Sequence, residues 1–194
     1  MKDKKRIYIL LGHTYQKGIC DAFAESYAKG ARSAGHEVRL TKMGDMKFDP
    51  ILHDGYHTVQ ELEPDLKKAQ EDIKWAEHIV IIYPMWWSSM PADLKGFFDR
   101  AWLPEFAFRF HENGMGWDKL LKGKSGRVII TMDSWPLVSR LLFGDSTNEI
   151  GKAILGFSGI HPVHITKIGP VKDMSPEDIK DWQDKISGCG REGE

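Results

Sequence analysis

The run Ile79-Val-Ile-Ile82 constrains this chain most. Four consecutive apolar residues leave no face for water, so as a strand the run has to be covered on both sides, as central strands of parallel sheets are. Its sequel narrows the choice. Tyr83-Pro-Met-Trp-Trp-Ser-Ser-Met-Pro91 is a polar and aromatic loop, and Ala92-Asp-Leu-Lys-Gly-Phe-Phe-Asp-Arg100 reads as a helix with Leu94, Phe97 and Phe98 turned inward. In an open parallel sheet such a loop lies where strand carboxyl ends and helix amino ends converge, in the crevice that binds ligands. Two adjacent tryptophans there point to a flat aromatic ligand rather than to a phosphate alone.

The same unit recurs along the chain. Arg6 to Leu11 reads as a first strand, followed by a helix from Ile19 to Ala34 with Ile19, Phe23, Tyr27 and Ala31 four residues apart. Gly35-His36 ends that helix, and Glu37 to Thr41 alternates as a second strand. Gly44 to Gly55 reads as a surface loop. A helical stripe, Leu62, Leu66, Ala69, Ile73 and Ala76, then starts with Pro64 in its first turn, where proline is tolerated. Glu77 to Tyr83 is the third strand, and Lys124 to Thr131 the fourth. Between them the helix near Pro91 is followed by an aromatic and glycine-rich excursion from Trp102 to Lys122. A helix over Ile150 to Phe157, a fifth strand over Pro162 to Ile168 and a helix over Pro176 to Ile186 complete the pattern, with 188–194 as a frayed tail. The expectation is a single α/β domain over 1–194: a flavodoxin-like three-layer sandwich whose five-stranded parallel sheet has the order 2-1-3-4-5.

A length of 194 residues suits one domain. Lys and Arg number 27 against 28 Asp and Glu, a net charge of -1, which offers no field for nucleic acid or an acidic membrane surface. The apolar run Ile7 to Leu11 is too short for a signal-peptide core or a membrane span. The only cysteines, Cys20 and Cys189, form no CxxC pair, so a reducing cytoplasm is the simplest location. Metal chemistry is poorly supported: His53 and His57 flank a glycine in a polar loop, and His161 and His164 lack a third ligand. There is no GxSxG elbow, and Cys20 reads as a small buried hydrophobe inside the first helix.

Three loops carry the candidate site. In Gly12-His-Thr-Tyr-Gln-Lys-Gly18, backbone amides and a helix amino terminus can cradle phosphate, with His13 as a donor, Thr14 as a hydroxyl and Lys17 as a cation. The spacing is neither a Walker loop nor GxGxxG. In the second loop, successive side chains of an extended chain point opposite ways, so at least one of Trp86 and Trp87 has to face a cleft or a partner. The third loop, Thr131-Met-Asp-Ser-Trp-Pro136, would complete the cleft, although Asp133 reads equally as a helix cap or a partner for a surface lysine.

Taken together, Gly12-His13, Glu37-Val-Arg-Leu40, Tyr83-Pro-Met-Trp-Trp87, Met90 to Arg100 and Gly159-Ile-His-Pro162 make the chain resemble the flavodoxin-like NAD(P)H:quinone oxidoreductases. The resemblance runs from about residue 6 to 170. It also takes in Leu103 to Phe108, which looks like the family's excursion beside the active site. It implies a flavin enzyme that takes hydride from NADH or NADPH and reduces a quinone in the same cleft. By resemblance His13, Thr14, Lys17, Gly18 and Ile19 would hold the flavin phosphate, Pro84, Met85, Trp86 and Trp87 would surround the ring system, and Thr131, Met132, Asp133 and Ser134 would lie on its pyrimidine side. FMN is favoured over FAD by the compact chain. The family implies a homodimer, for which the aromatic segment Trp102 to Phe110 offers apolar surface, although the segment reads equally as intramolecular core. Azo or nitroaromatic reduction is the alternative activity, and an ancillary subunit of a potassium efflux system, on the membrane periphery, the alternative role. Two departures stand out. Gly18 and Cys20 occupy positions where relatives often carry serine and asparagine, and Trp135 to Leu142 lacks the tyrosine and histidine that some relatives use to stabilise charge on the reduced flavin. No side chain is therefore assigned as a catalytic acid, and backbone hydrogen bonds would have to stabilise that charge.

Overall fold

The computed structural model describes residues 3–15, 17–112 and 114–194. Seven strands alternate with five α-helices: β1 Arg6–Leu11, α1 Ile19–Ser33, β2 Glu37–Lys42, α2 Pro64–Trp75, β3 His78–Pro84, α3 Ala92–Ala101, β4 Phe108–Phe110, β5 Trp117–Lys119, β6 Ser125–Thr131, α4 Pro136–Phe143, β7 Val163–Ile168 and α5 Pro176–Glu192. Five of the strands form one parallel sheet in the order β2-β1-β3-β6-β7. Without the small hairpin β4-β5, this is the order 2-1-3-4-5 expected from the sequence.

Strand alternation divides the core into two layers. Tyr8, Leu10, Ile79, Ile81, Val128 and Ile130 face α2 and α3, where Leu66, Ile73, Leu94 and Phe97 meet them. Ile7, Ile9, Leu11, Val80, Ile82 and Ile129 face the other way, against Phe23, Tyr27, Ala31 and Ile186 of α1 and α5. Each fully buried side chain of this size contributes about 1.5–3 kcal/mol relative to exposure, which is why the unbroken run in β3 ends up central. Helices α1 and α5 approach almost backbone to backbone. A Cβ on Gly30 would lie 2.0 Å from the Ser187 carbonyl oxygen, and one on Gly190 would lie 2.3 Å from that of Tyr27.

Four local expectations need correcting. The residues expected to fray, 188–194, are docked: α5 continues to Glu192, Gly193 caps it in the left-handed region, and the Tyr27 hydroxyl donates to the Glu194 carbonyl at 2.9 Å. The aromatic excursion is divided, with Phe110 and Met115 exposed and its inner part in the core. Its Trp102 and Phe106 extend an edge-to-face series from Phe98 into the core, with centroids 5.2 and 5.7 Å apart, and its outer part folds as the hairpin β4-β5. Residues Glu149–Gly156 form a π-helix rather than an α-helix. Finally, α4 is a helix that the expected run of elements does not include.

Candidate functional site

Four loops leave the carboxyl edge of the sheet and are laced together by main-chain hydrogen bonds. Gly12 N–H donates to Ile82 at 2.8 Å, Met85 N–H to Thr131 at 2.7 Å, Met132 N–H to Ile168 at 2.9 Å, and Val171 N–H to Met132 at 2.9 Å. The order β1-β3-β6-β7 of the sheet thus continues into the loops, and the edge becomes a floor of fixed backbone. Gly169 makes the last of these contacts feasible. Any Cβ there would lie 2.6 Å from the carbonyl oxygens of Met132 and Ser134.

Two adjoining cavities lie over this floor. The smaller, of about 230 Å³, is lined by His13, Gly18, Ile19, Pro84, Met85, Trp86, Thr131, Met132 and Asp133 from the predicted set, and by Tyr15, Cys20 and Val171 besides. The larger, of about 590 Å³, shares Met85, Met132 and Asp133 with it and adds Trp87, Ser88, Ser134, Ser139 and Phe143. Thr14 and Lys17 are exposed and border neither cavity. Gln16, quoted with the first loop, lies outside the described residues. Tyr15 and Ser88 lie within the first and second loops as read from the sequence, whereas Val171 lies in the loop after β7, which carries no expectation. Ser139 and Phe143 depend on α4, which the expected run of elements does not include.

His13 is the most unusual group of the smaller cavity. It is 4 % exposed, and neither ring nitrogen has a hydrogen-bond partner. Burial holds its pKa below the ordinary histidine value, against a smaller upward pull from Asp21, so the imidazole is neutral and offers one donor and one acceptor. A buried polar ring without partners is costly, and a ligand that completes its bonding removes that cost. The amino end of α1 lies beside it: Gly18 is the N-cap, extended, with no side-chain oxygen to satisfy the first-turn amides. Cys20 in that first turn has its thiol 3.2 Å from the Thr131 hydroxyl, and burial pushes its pKa up to about 11, so it links α1 to the third loop as a neutral group.

The double tryptophan forms a tight reversal. Trp86 and Ser89 exchange main-chain hydrogen bonds at 3.0 and 2.9 Å, and the two central residues, Trp87 and Ser88, have φ of +51° and +60°. This is a type I′ geometry, which glycine and asparagine normally occupy. Ser89 donates to Glu149 at 3.1 Å, tying the turn to the π-helix. The turn leaves Trp86 bordering the smaller cavity and Trp87 bordering the larger, with Trp87 99 % exposed. Asp133 neither caps α4, whose N-cap is Trp135, nor has an ion-pair or hydrogen-bond partner among the described residues. Beyond it, Trp135, Leu137, Leu141, Leu142 and Phe143 form a largely exposed apolar face at the rim.

Comparison with known proteins agrees with this architecture. A family model described as a flavodoxin-like fold matches residues 5–187. An uncharacterized NAD(P)H oxidoreductase of Haemophilus influenzae is 32 % identical over 58 % of this chain and 56 % of its own length. The chain spans about half the length of the first curated relatives it matches. Among solved structures, Smu.1420 from Streptococcus mutans UA159 superposes with a TM-score of 0.80 at 25 % identity, over 95 % of this chain and 98 % of that one. The NAD(P)H:quinone oxidoreductase from Methanothermobacter marburgensis superposes with a TM-score of 0.79 at 23 % identity, over 97 % and 96 % of the two chains. No helix among the described residues is long and apolar enough to cross a membrane.

Proposed function

The chain belongs to the family of flavodoxin-like folds, and on that premise we propose that it is a flavin-dependent NAD(P)H:quinone reductase. The observation that carries this reading is His13, a neutral, buried imidazole with two unpartnered nitrogens on the wall of a cavity at the amino end of a helix. That combination suits the phosphate of a nucleotide cofactor: the ring supplies one N–H, and the uncapped first turn of α1 supplies amides and a favourable dipole. The other walls suit a flat ring. Met85, Trp86 and Met132 are apolar, and Thr131 and Asp133 are the polar residues of the third loop on the same wall.

In this reading His13, Gly18 and Ile19 hold the phosphate end, Pro84 to Trp87 flank the ring system, and Thr131 to Ser134 meet its pyrimidine side. Thr14 and Lys17, exposed outside both cavities, act at most through solvent. A bound flavin supplies the redox chemistry, accepting two electrons as hydride from a nicotinamide and passing them to a quinone. The protein's part is to bind, to orient donor and acceptor in turn over one face, and to keep the floor dry. FMN is the preferred flavin, because the described cavity offers a phosphate site at α1 and no separate adenine pocket is needed. A second copy of the chain is proposed to cover the apolar rim at α4, in place of the aromatic excursion, whose Trp102 and Phe106 are core residues.

The visible absorption spectrum of the purified protein, with mass identification of what denaturation releases, is the test. A flavin spectrum, turnover of a quinone with NADH or NADPH, and at least a tenfold loss of flavin affinity in His13→Ala are the expected results. Failure to retain FMN or FAD after incubation with either refutes the reading. Faster turnover of azo or nitroaromatic acceptors than of quinones moves the activity to those substrates.

A further inference from the structure

Among the described residues, Asp133 is the only charged side chain lining either cavity. No lysine or arginine among the described residues reaches their walls, His13 is neutral, and the Cys20 thiol keeps its proton. The Asp133 carboxylate is exposed and has no partner among the described residues, so nothing in the described structure neutralises it. Around it in the larger cavity stand the indole of Trp87, the ring of Phe143 and the thioethers of Met85 and Met132. A lone carboxylate among aromatic and sulfur-bearing side chains is the chemistry that recognises organic cations, through Coulomb attraction and the negative faces of the rings. Trp87 is available for this, because its strained turn holds the ring in solvent instead of in the core.

We propose that the larger cavity, through Asp133, Trp87 and Phe143, selects flat cationic aromatic acceptors over neutral ones and excludes anionic ones. The proposal deepens the reductase reading and rests on it for turnover, although not for binding. The chemistry also suits a cleft without a charged acid. Reduction of a quinone by a nicotinamide takes up a hydride and a proton, and among the described residues no charged acid lines either cavity to give the second. A cationic acceptor requires hydride alone. In net balance, with donor and acceptor meeting the flavin in turn, the nicotinamide gives up a ring C–H hydrogen with its electron pair and becomes a cation, and the acceptor gains one hydride as a new N–H or C–H bond and becomes neutral. No proton enters or leaves. Asp133 attracts the reactant but not the neutral product, so its effect falls on acceptor affinity and product release more than on the chemical step.

The test uses three probes of one shape: N-methylphenazinium, phenazine and phenazine-1-carboxylate. Their dissociation constants for the purified protein, with whatever flavin it retains, are measured by calorimetry without nicotinamide. The cation is expected to bind about threefold to thirtyfold more tightly than phenazine at low salt, and the carboxylate more weakly than either. Asp133→Asn should shrink the cation's preference to about threefold or less, and Asp133→Lys should invert the order of cation and anion. Raised salt should erode the wild-type preference and leave that of Asp133→Asn nearly constant. Equal binding of the three probes, or a cation preference as large in Asp133→Asn as in the wild type, overturns the proposal. If the order holds but neither N-methylphenazinium nor any quinone is reduced by NADH or NADPH, the reductase reading fails and the cation site stands. Quinone turnover with no charge order in binding is the reverse result.

Discussion

Replacing Trp87 with glycine should make the protein more stable and a poorer binder at once. The left-handed backbone of Trp87, φ +51°, costs a non-glycine residue about 1–2 kcal/mol. Little offsets that cost in the folded chain, because the side chain is 99 % exposed and buries almost no apolar area. Glycine removes the steric penalty but adds roughly 0.5–1 kcal/mol of unfolded-chain entropy, so a net gain of about 0.5–1 kcal/mol is expected. For a domain of this size that is a rise in Tm of about 1–4 °C. Thermal unfolding of flavin-free protein at a fixed low concentration reads the stability, and titration with N-methylphenazinium or a quinone reads the binding, which should weaken at least threefold. Trp87→Asn, which tolerates the same backbone, should behave similarly. A destabilisation beyond 1 kcal/mol would show that the ring packs against something, and unchanged affinity would remove Trp87 from the site.

Other consequences can be checked separately. His78 is wholly buried, with Nδ1 2.7 Å from the Ser125 hydroxyl, and burial, reinforced by Lys5 and Arg127, lowers its pKa to about 3 from the ordinary 6.5. Between those values the unfolded chain binds the proton that the folded chain refuses, so stability falls as pH drops below about 6.5, by up to about 1.4 kcal/mol per pH unit. Urea midpoints from pH 7 to 5 should decline less steeply in His78→Gln, and parallel curves would refute the assignment. Gly169→Ala forces a Cβ to 2.6 Å from two carbonyl oxygens of the third loop. It should cost about 1–3 kcal/mol and weaken flavin retention, as read by chemical unfolding and by the flavin released on dialysis; a neutral effect on both would mean that this loop is not fixed from β7.

The fold was largely legible because its strongest signals are those that burial enforces. The run Ile79 to Ile82 predicts a central strand, and β3 lies between β1 and β6. The stripe Phe23, Tyr27, Ala31 predicts the inner face of α1, and all three are buried. Three kinds of feature escaped. The docking of 188–194 depends on glycines at 30 and 190 that let two helices touch by backbone, and a glycine in sequence reads as a breaker until its neighbour is known. The hairpin β4-β5 has strands of three residues, too short for periodicity to register. Segment 136–143, Pro-Leu-Val-Ser-Arg-Leu-Leu-Phe, turns most of its apolar residues to solvent and buries Ser139, so its pattern does not mark a core-facing side.

The same failure bears on the site. Sequence reasoning assigns loops by the strands they follow, and the three loops after β1, β3 and β6 do line one cleft. The loop after β7 obeys the same rule and contributes Val171, so the missed residue there was missed by omission rather than for want of a signal. The rim differs in kind. Leu137, Leu141, Leu142 and Phe143 are apolar yet exposed, which inverts the premise by which apolar patterns are read. A contiguous face of this sort is unusual on a monomeric surface and marks a place where another surface or a ligand belongs. Its position decides what it does here: Phe143 and Ser139 of that helix already border the larger cavity. Whatever covers α4 therefore also narrows the entrance beside Asp133, and lowers the water content around the carboxylate. Charge selection in the cleft should consequently sharpen when the rim is covered, since a carboxylate shielded from water discriminates between cation and anion more strongly than one in open solvent. The preference for N-methylphenazinium over phenazine-1-carboxylate, measured across a range of protein concentrations, should rise as the protein self-associates. A preference that stays constant while sedimentation shows association would place the contact between copies elsewhere on the surface.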